Sequence, residues 1–168
     1  SQLCDRCGVD RVVRLEENRG PAYARNYGAS IAQGDILIFM DADILLPEDK
    51  DVLKDMCGIL QQDSSIDCVS TLSDIHPLKE NSVSYNNSVY QAYFINRILK
   101  GKKRVSGRIM FFSTRLGAIR KERFRESGGF YETLTTVMNE DGEFWTRCYH
   151  RGYITCLDSG LVHYHLYP

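Results

Sequence analysis

The sequence predicts an α/β fold, a mainly parallel sheet sandwiched by helices, and three observations lead to it. Runs with strand character alternate with runs of helical spacing along the chain. One run, Ile36-Leu-Ile-Phe-Met40, is short and continuously apolar, as a strand covered on both faces should be. With 168 residues, of which 43% are hydrophobic and 26% charged, the chain suits one soluble domain with a sizeable core.

Val9 to Leu15 reads as a short strand and Asn18-Arg-Gly-Pro21 as a turn, with Pro21 suited to the first turn of a helix. Ala22 to Ala32 carries that helix, and Gly34 is available to cap it. The apolar strand Ile36 to Met40 follows. Pro47-Glu-Asp49 reads as the start of a helix to about Gln61, its acids at the positive end of the dipole. Asp67 to Ser73 is a further strand. Ser82 to Leu99 repeats apolar and aromatic residues at helical spacing (Tyr85, Val89, Tyr93; Tyr90, Phe94, Ile98), which predicts a long helix. Strands are expected at Met110 to Ser113 and Leu116 to Ile119, and a short helix at Lys121 to Ser127. The turn Gly128-Gly129 follows, then a helix from Asn139 to His150 and a last strand from Tyr153 to Leu157. On the Asn139 helix, Phe144, Trp145, Cys148 and Tyr149 form a core-facing stripe.

Net charge is −1, so no global field recruits nucleic acid or an anionic membrane. The basic run Lys100-Gly-Lys-Lys-Arg104, with Arg108, reads as a solvated loop, or as one that closes over phosphates or a phospholipid acceptor. No stretch approaches the ~20 apolar residues of a membrane span. The first residues are polar and lack an apolar signal core, so a cytoplasmic protein is expected, with peripheral association at the inner face of the membrane left open. Of six cysteines, Cys4 and Cys7 form a C-x-x-C, but no second pair completes a zinc set. Reduced thiols are the expectation.

The chemistry should sit just after the apolar strands, because ligands of such sheets bind at the carboxyl ends of the strands. Asp41 and Asp43 stand there. Two acids so placed repel each other and lose hydration, and a divalent cation relieves both penalties. Hard oxygen ligands suit Mg²⁺ or Mn²⁺, with positions left open for phosphate oxygens. A solvated acidic turn, or a helix cap for the segment after Pro47, explains the pair equally well. A third reading is a D-x-D phosphatase of the haloacid-dehalogenase type, but its pattern wants Thr or Val where Leu45 stands.

Asn18-Arg-Gly-Pro-Ala-Tyr-Ala-Arg-Asn-Tyr-Gly28, followed by Ala32-Gln-Gly-Asp-Ile-Leu-Ile-Phe-Met-Asp-Ala-Asp43, resembles glycosyltransferase family 2. So do Gly117-Ala-Ile-Arg-Lys-Glu-Arg-Phe124, Gly128-Gly-Phe130, Asn139-Glu-Asp-Gly-Glu-Phe-Trp-Thr-Arg147, Arg151-Gly-Tyr153 and Leu161-Val-His163. The resemblance runs from about Val12 to His165. It implies the GT-A fold, with residues 1–168 as a single partial catalytic domain lacking the first βαβ portion. A truncated, non-catalytic remnant or binding module is the alternative.

The resemblance further implies inverting, metal-assisted transfer from a nucleotide-diphosphate sugar to an acceptor hydroxyl. Asp141 would be the general base, with Glu140 beside it to orient the base or the acceptor. Asp43, Asp41 and His163 would serve the Mn²⁺ or Mg²⁺, with His165 as the fallback for His163 and Asp41 also able to meet the ribose. Asn18, Arg25, Asp41 and Arg147 would face the nucleotide; Arg147 has the alternative of holding the Asp141 segment. Saccharides, lipid-linked saccharides and proteins are the acceptors to consider, with bacterial surface-polysaccharide synthesis as the setting.

Overall fold

A computed structural model describes residues 8–74, 93, 96–110, 113–133 and 140–166. Its elements run α1 (Gly20–Ile31), β1 (Ile36–Met40), β2 (Ile44–Leu45), α2 (Val52–Gln62), β3 (Cys68–Asp74), β4 (Arg104–Gly107), β5 (Leu116–Arg120), α3 (Lys121–Ser127), α4 (Glu140–His150) and β6 (Thr155–His165). One sheet takes the order β1-β5-β3-β6-β2, with β4 also pairing β6.

The α/β sandwich forms because β1 is apolar at every position. Leu37 and Phe39 face one layer, with Ala22 and Ala29 of α1, Phe124 of α3, and Phe144 and Trp145 of α4. Ile36 and Ile38 face the other, where Val52, Met56 and Leu60 of α2 pack with Val69 and Leu116. Phe39, Phe124, Phe130 and Phe144 form one aromatic knot, the Phe130–Phe144 centroids 4.5 Å apart. Phe144, Trp145 and Cys148 are buried as the helix stripe predicts, with Tyr149 half-buried.

The sheet is mixed rather than mainly parallel. Among the described residues only β3 and β6 pair in parallel; β1–β5, β3–β5, β2–β6 and β4–β6 are antiparallel. Hydrophobic pattern reports how a strand is buried, not which way it runs, and β5 inserts between β1 and β3 pointing the opposite way.

Several boundaries also differ from expectation. Residues 9–15 form no strand, and Val9, Val12, Val13 and Leu15 are exposed; β-propensity without a paired edge does not hold a strand. The helix expected from Pro47 starts at Val52, where the Asp51 carboxylate accepts from the Lys54 N–H at 3.0 Å. Gly34 caps nothing: α1 ends as Ala32 turns extended and donates to the Gly28 carbonyl. Left-handed glycines do end α3 and α4, at Gly128 and Gly152.

Met110 and Ser113 lie outside any strand, and residues 111–112 are outside the described residues. The strand of that region is β4, inside the basic run read as a loop. Its Arg104 is held by the buried Asp158 at 2.6 Å. Residue 93 and residues 96–99 are helical; the rest of the expected long helix falls outside the described residues, as do Cys4 and Cys7. Cys57, Cys68, Cys148 and Cys156 are free thiols. Burial pushes the Cys148 thiol up to about 12 and Cys156 up to about 11, so neither is reactive at neutral pH. No described helix is long and apolar enough to cross a membrane.

Candidate active site

α1 ties the site together. Ala22 and Ala29 bury its inner face, and between them Arg25 and Asn26 reach across to other segments. Arg25 donates from Nη2 to Asp41 Oδ1 at 2.9 Å and from Nη1 to Glu140 Oε1 at 2.5 Å. Burial lowers its pKa, but the hydrogen bonds to Glu140 and Asp41 outweigh that and the net shift is upward. The end of β1 and the start of α4 therefore meet on one fixed positive charge.

Asn26 makes the second link. Its Nδ2 donates to the Phe130 carbonyl and to Glu132 Oε1, and its Oδ1 accepts from the Phe130 N–H, each at 2.9 Å. The approach requires glycine at 129: its φ is +69°, and a Cβ there would stand 2.6 Å from Asn26 Oδ1. Arg147 braces the same turn from the other side. It donates to the carbonyls of Ser127 and Gly129 and pairs with Glu143 at 2.7 Å. Among the described residues it makes no ion pair with Asp41, Asp43 or Glu140.

Glu140 is buried at 8% exposure in the first turn of α4. Asp141 beside it is only partly buried, its Oδ1 accepting from the Gly142 N–H at 2.7 Å. Asn18 lies on the surface and accepts from the Gly20 N–H at 3.0 Å, closing the turn into α1.

The far side of the site is β6, which runs on to His165 instead of stopping at Leu157. Its apolar pattern breaks at Asp158-Ser159-Gly160, where Gly160 donates back to Asp158 Oδ1, and resumes beyond. The short β2–β6 pairing, Ile44 opposite His165, draws the Asp41–Asp43 turn onto this strand end. Asp43 accepts from the Leu166 N–H through its carbonyl, and its carboxylate lies 3.1 Å from His165 Nε2. Burial and then Arg115 lower the His165 pKa, so the contact at neutral pH is a hydrogen bond from an uncharged ring.

His163, two residues earlier on the same face of β6, is 1% exposed. Its Nδ1 lies 2.8 Å from Thr71 Oγ1, while its Nε2 has no hydrogen-bond partner among the described residues. Burial first, then Arg115 and His165, push its pKa down to about 4. The residues thus gathered include three that the motifs did not single out: Asn26, Thr71 and Arg115. Asn26 stands inside the quoted A-R-N block. Thr71 and Arg115 carry no local signal, since a threonine in a strand reads as a strand former.

Among the described residues no three His, Cys, Asp or Glu side chains are gathered as a metal shell. Asp41 is held by Arg25 and Asp43 by His165. The donor chemistry nonetheless fits a divalent cation. It offers two hard carboxylates on one turn and, on the strand that turn pairs with, a buried imidazole nitrogen without a partner.

A family model described as glycosyl transferase family 2 matches residues 2–128. The chain is 28% identical to an uncharacterized glycosyltransferase of Haemophilus influenzae over 131 residues, 77% of this chain and 42% of that protein. A shorter match to the uncharacterized glycosyltransferase YfnE of Bacillus subtilis is 56% identical over 37 residues, 22% of this chain and 9% of that one. Among solved structures, the mannosyltransferase PcManGT from Pyrobaculum calidifontis, in complex with GDP-Man and Mn²⁺, aligns with a TM-score of 0.65 at 25% identity, over 94% of this chain and 39% of its own. GalNAc-T7 with UDP, GalNAc and Mn²⁺ aligns with a TM-score of 0.71 at 19% identity, over 99% of this chain and 33% of its own, a likeness of fold. The fold is GT-A. The chain spans less than half the length of each of these proteins.

Proposed function

The chain belongs to glycosyl transferase family 2, and on that premise we propose that the protein carrying it moves a sugar from a nucleotide-diphosphate sugar to an acceptor hydroxyl with inversion, Asp141 taking the hydroxyl proton. One observation carries the reading: Arg25 joins Asp41 to Glu140, so the acid pair after β1 and the acid pair opening α4 share one site. The first pair serves the donor and the second the acceptor. The mannosyltransferase structure, with its GDP-sugar and Mn²⁺, supports a nucleotide sugar and a divalent cation as ligands of this fold.

Asp43 and His163 would hold Mn²⁺ or Mg²⁺, with Asp41 meeting the ribose or the water around the ion. When bound, the cation supplies positive charge against the leaving diphosphate. Arg115 stands beside this group: its carbonyl accepts from the Asp41 N–H at 2.9 Å, and its charge bears on both histidines. Arg25 holds Glu140 in place. Asp141, partly open to solvent next to Glu140, can receive an acceptor hydroxyl and its proton. Arg147 acts through the Gly128-Gly129 turn that underlies α4. Asn18 closes the turn into α1 and would border the nucleotide as the family motif implies. The acceptor is a saccharide, a lipid-linked saccharide or a protein.

The test is Asp141→Asn in the protein that carries this chain, assayed with a panel of UDP- and GDP-sugars. Transfer should fall by about 10²- to 10⁴-fold while nucleotide binding and melting temperature hold. The product's anomeric configuration, read by NMR, should be opposite to the donor's. A fully active variant, or a product that keeps the donor's configuration, refutes the proposal.

A further inference from the structure

We propose that Thr71 is a positioning residue: it fixes His163 as the Nδ1–H tautomer and so leaves the Nε2 lone pair free for a divalent cation. The proposal rests on the reading that a cation is held by the Asp41–Asp43 turn and His163.

Proton counting carries the argument. A threonine hydroxyl has one proton to give, and Thr71 gives it to the Leu116 carbonyl at 2.7 Å. The same oxygen lies 2.8 Å from His163 Nδ1. With its proton committed, it accepts, so Nδ1 carries the ring proton. A neutral imidazole has only one N–H, and Nε2 is therefore an acceptor. That nitrogen is buried and has no partner among the described residues, which is the state a ligand nitrogen is in before its metal arrives.

The backbone also aims the hydroxyl. The parallel register of β3 on β6 shifts between Ser70, opposite Leu157, and Leu72, opposite Val162. Thr71 occupies the irregular step, is 0% exposed, and spans from β5 to β6 through its single oxygen. A valine of the same shape would fill the space without directing any proton.

The experiment uses the protein carrying this chain, with Thr71→Val, Thr71→Ser and His163→Ala variants. Imidazole ¹⁵N shifts of the metal-free protein report the tautomer, and titration with Mn²⁺ alone reports affinity. His163 should show the Nδ1–H form in the parent and in T71S. In T71V a population of Nε2–H should appear, and Mn²⁺ affinity should weaken by about 10- to 100-fold. T71S should recover both. Should T71V not fold, T71A is read by the same two measurements. If the tautomer in T71V stays as in the parent, Thr71 does not set it. If the tautomer changes and Mn²⁺ affinity does not, although H163A weakens it, the positioning role is overturned while the metal site stands. If H163A itself leaves Mn²⁺ affinity unchanged, the cation reading falls, and the proposal with it.

Discussion

A neutral histidine enclosed in a sheet couples folding to pH. Burial, Arg115 and His165 push His163 down to about 4, against 6.5 for the free side chain. Between those values the unfolded chain binds a proton that the folded chain refuses. The stability at stake is fully present above about pH 6.5 and is lost as pH falls toward 4, on the order of 3 kcal/mol in all and about 2 kcal/mol by pH 5. Urea midpoints of the parent and of His163→Gln at about pH 7.5 and pH 5 check this. The parent should lose stability on acidification, and the variant should lose distinctly less. Equal losses would assign the dependence to another group. At this scale the motifs pointed to three residues that the fold gathers, Asp41, Arg25 and Glu140, with Asp141 next to the last. The sequence ranked His163 over His165 by motif alone, with His165 as the fallback, because no strand was legible there to fix the register. The structure distinguishes them by burial and by partner.

The turn at Gly129 and the helix α1 form one coupled element pair. Gly129→Ala meets two obstacles, a φ of +69° and the Asn26 oxygen 2.6 Å from the new Cβ. It should cost roughly 1–3 kcal/mol of stability. Asn26→Ala removes the carboxamide that both donates to and accepts from the Phe130 backbone, also at about 1–3 kcal/mol. Because the Asn26 side chain is itself part of what obstructs a methyl group at position 129, the double variant should cost less than the sum, and chemical denaturation of the four proteins measures the difference. Strict additivity would mean the contact does not couple the two. The elements α1, β1, α2 and α3 were readable within a few residues from apolar period, Pro21 and the glycine that ends α3. β4 was hidden in a basic run because its charge is answered by Asp158, far away in sequence. The second half of β6 was hidden by the Asp158-Ser159-Gly160 break and by two histidines standing where apolar residues would have marked a strand.

For the molecule as a whole, the layers were legible and the strand directions were not, since apolar runs look alike whichever way they point. What the mixed sheet achieves is convergence. β1 carries Asp41 to its end, β6 carries His163 and His165 to its own, β2 brings Asp43 onto β6, and α1 reaches from Asp41 to the start of α4. In the ligand-free fold the two acids already have protein partners, Arg25 for Asp41 and the uncharged His165 for Asp43, so no cation is needed to keep the sheet together. Asp43 is moreover half-exposed, with 51% of its side chain accessible. Asp43→Ala should therefore leave the ligand-free melting temperature close to the parent's, while removing the stabilisation that a nucleotide diphosphate gains from Mn²⁺. A ligand that binds only the folded state at 100 times its Kd stabilises it by about 2.7 kcal/mol. Thermal melts of the protein carrying this chain, with UDP or GDP, with and without Mn²⁺, read this directly. The parent should rise with one of the two nucleotides when Mn²⁺ is present, which also identifies the base, and Asp43→Ala should not. A Mn²⁺-dependent rise that survives Asp43→Ala would place the cation away from the Asp41–Asp43 turn and remove the donor site from the end of β1.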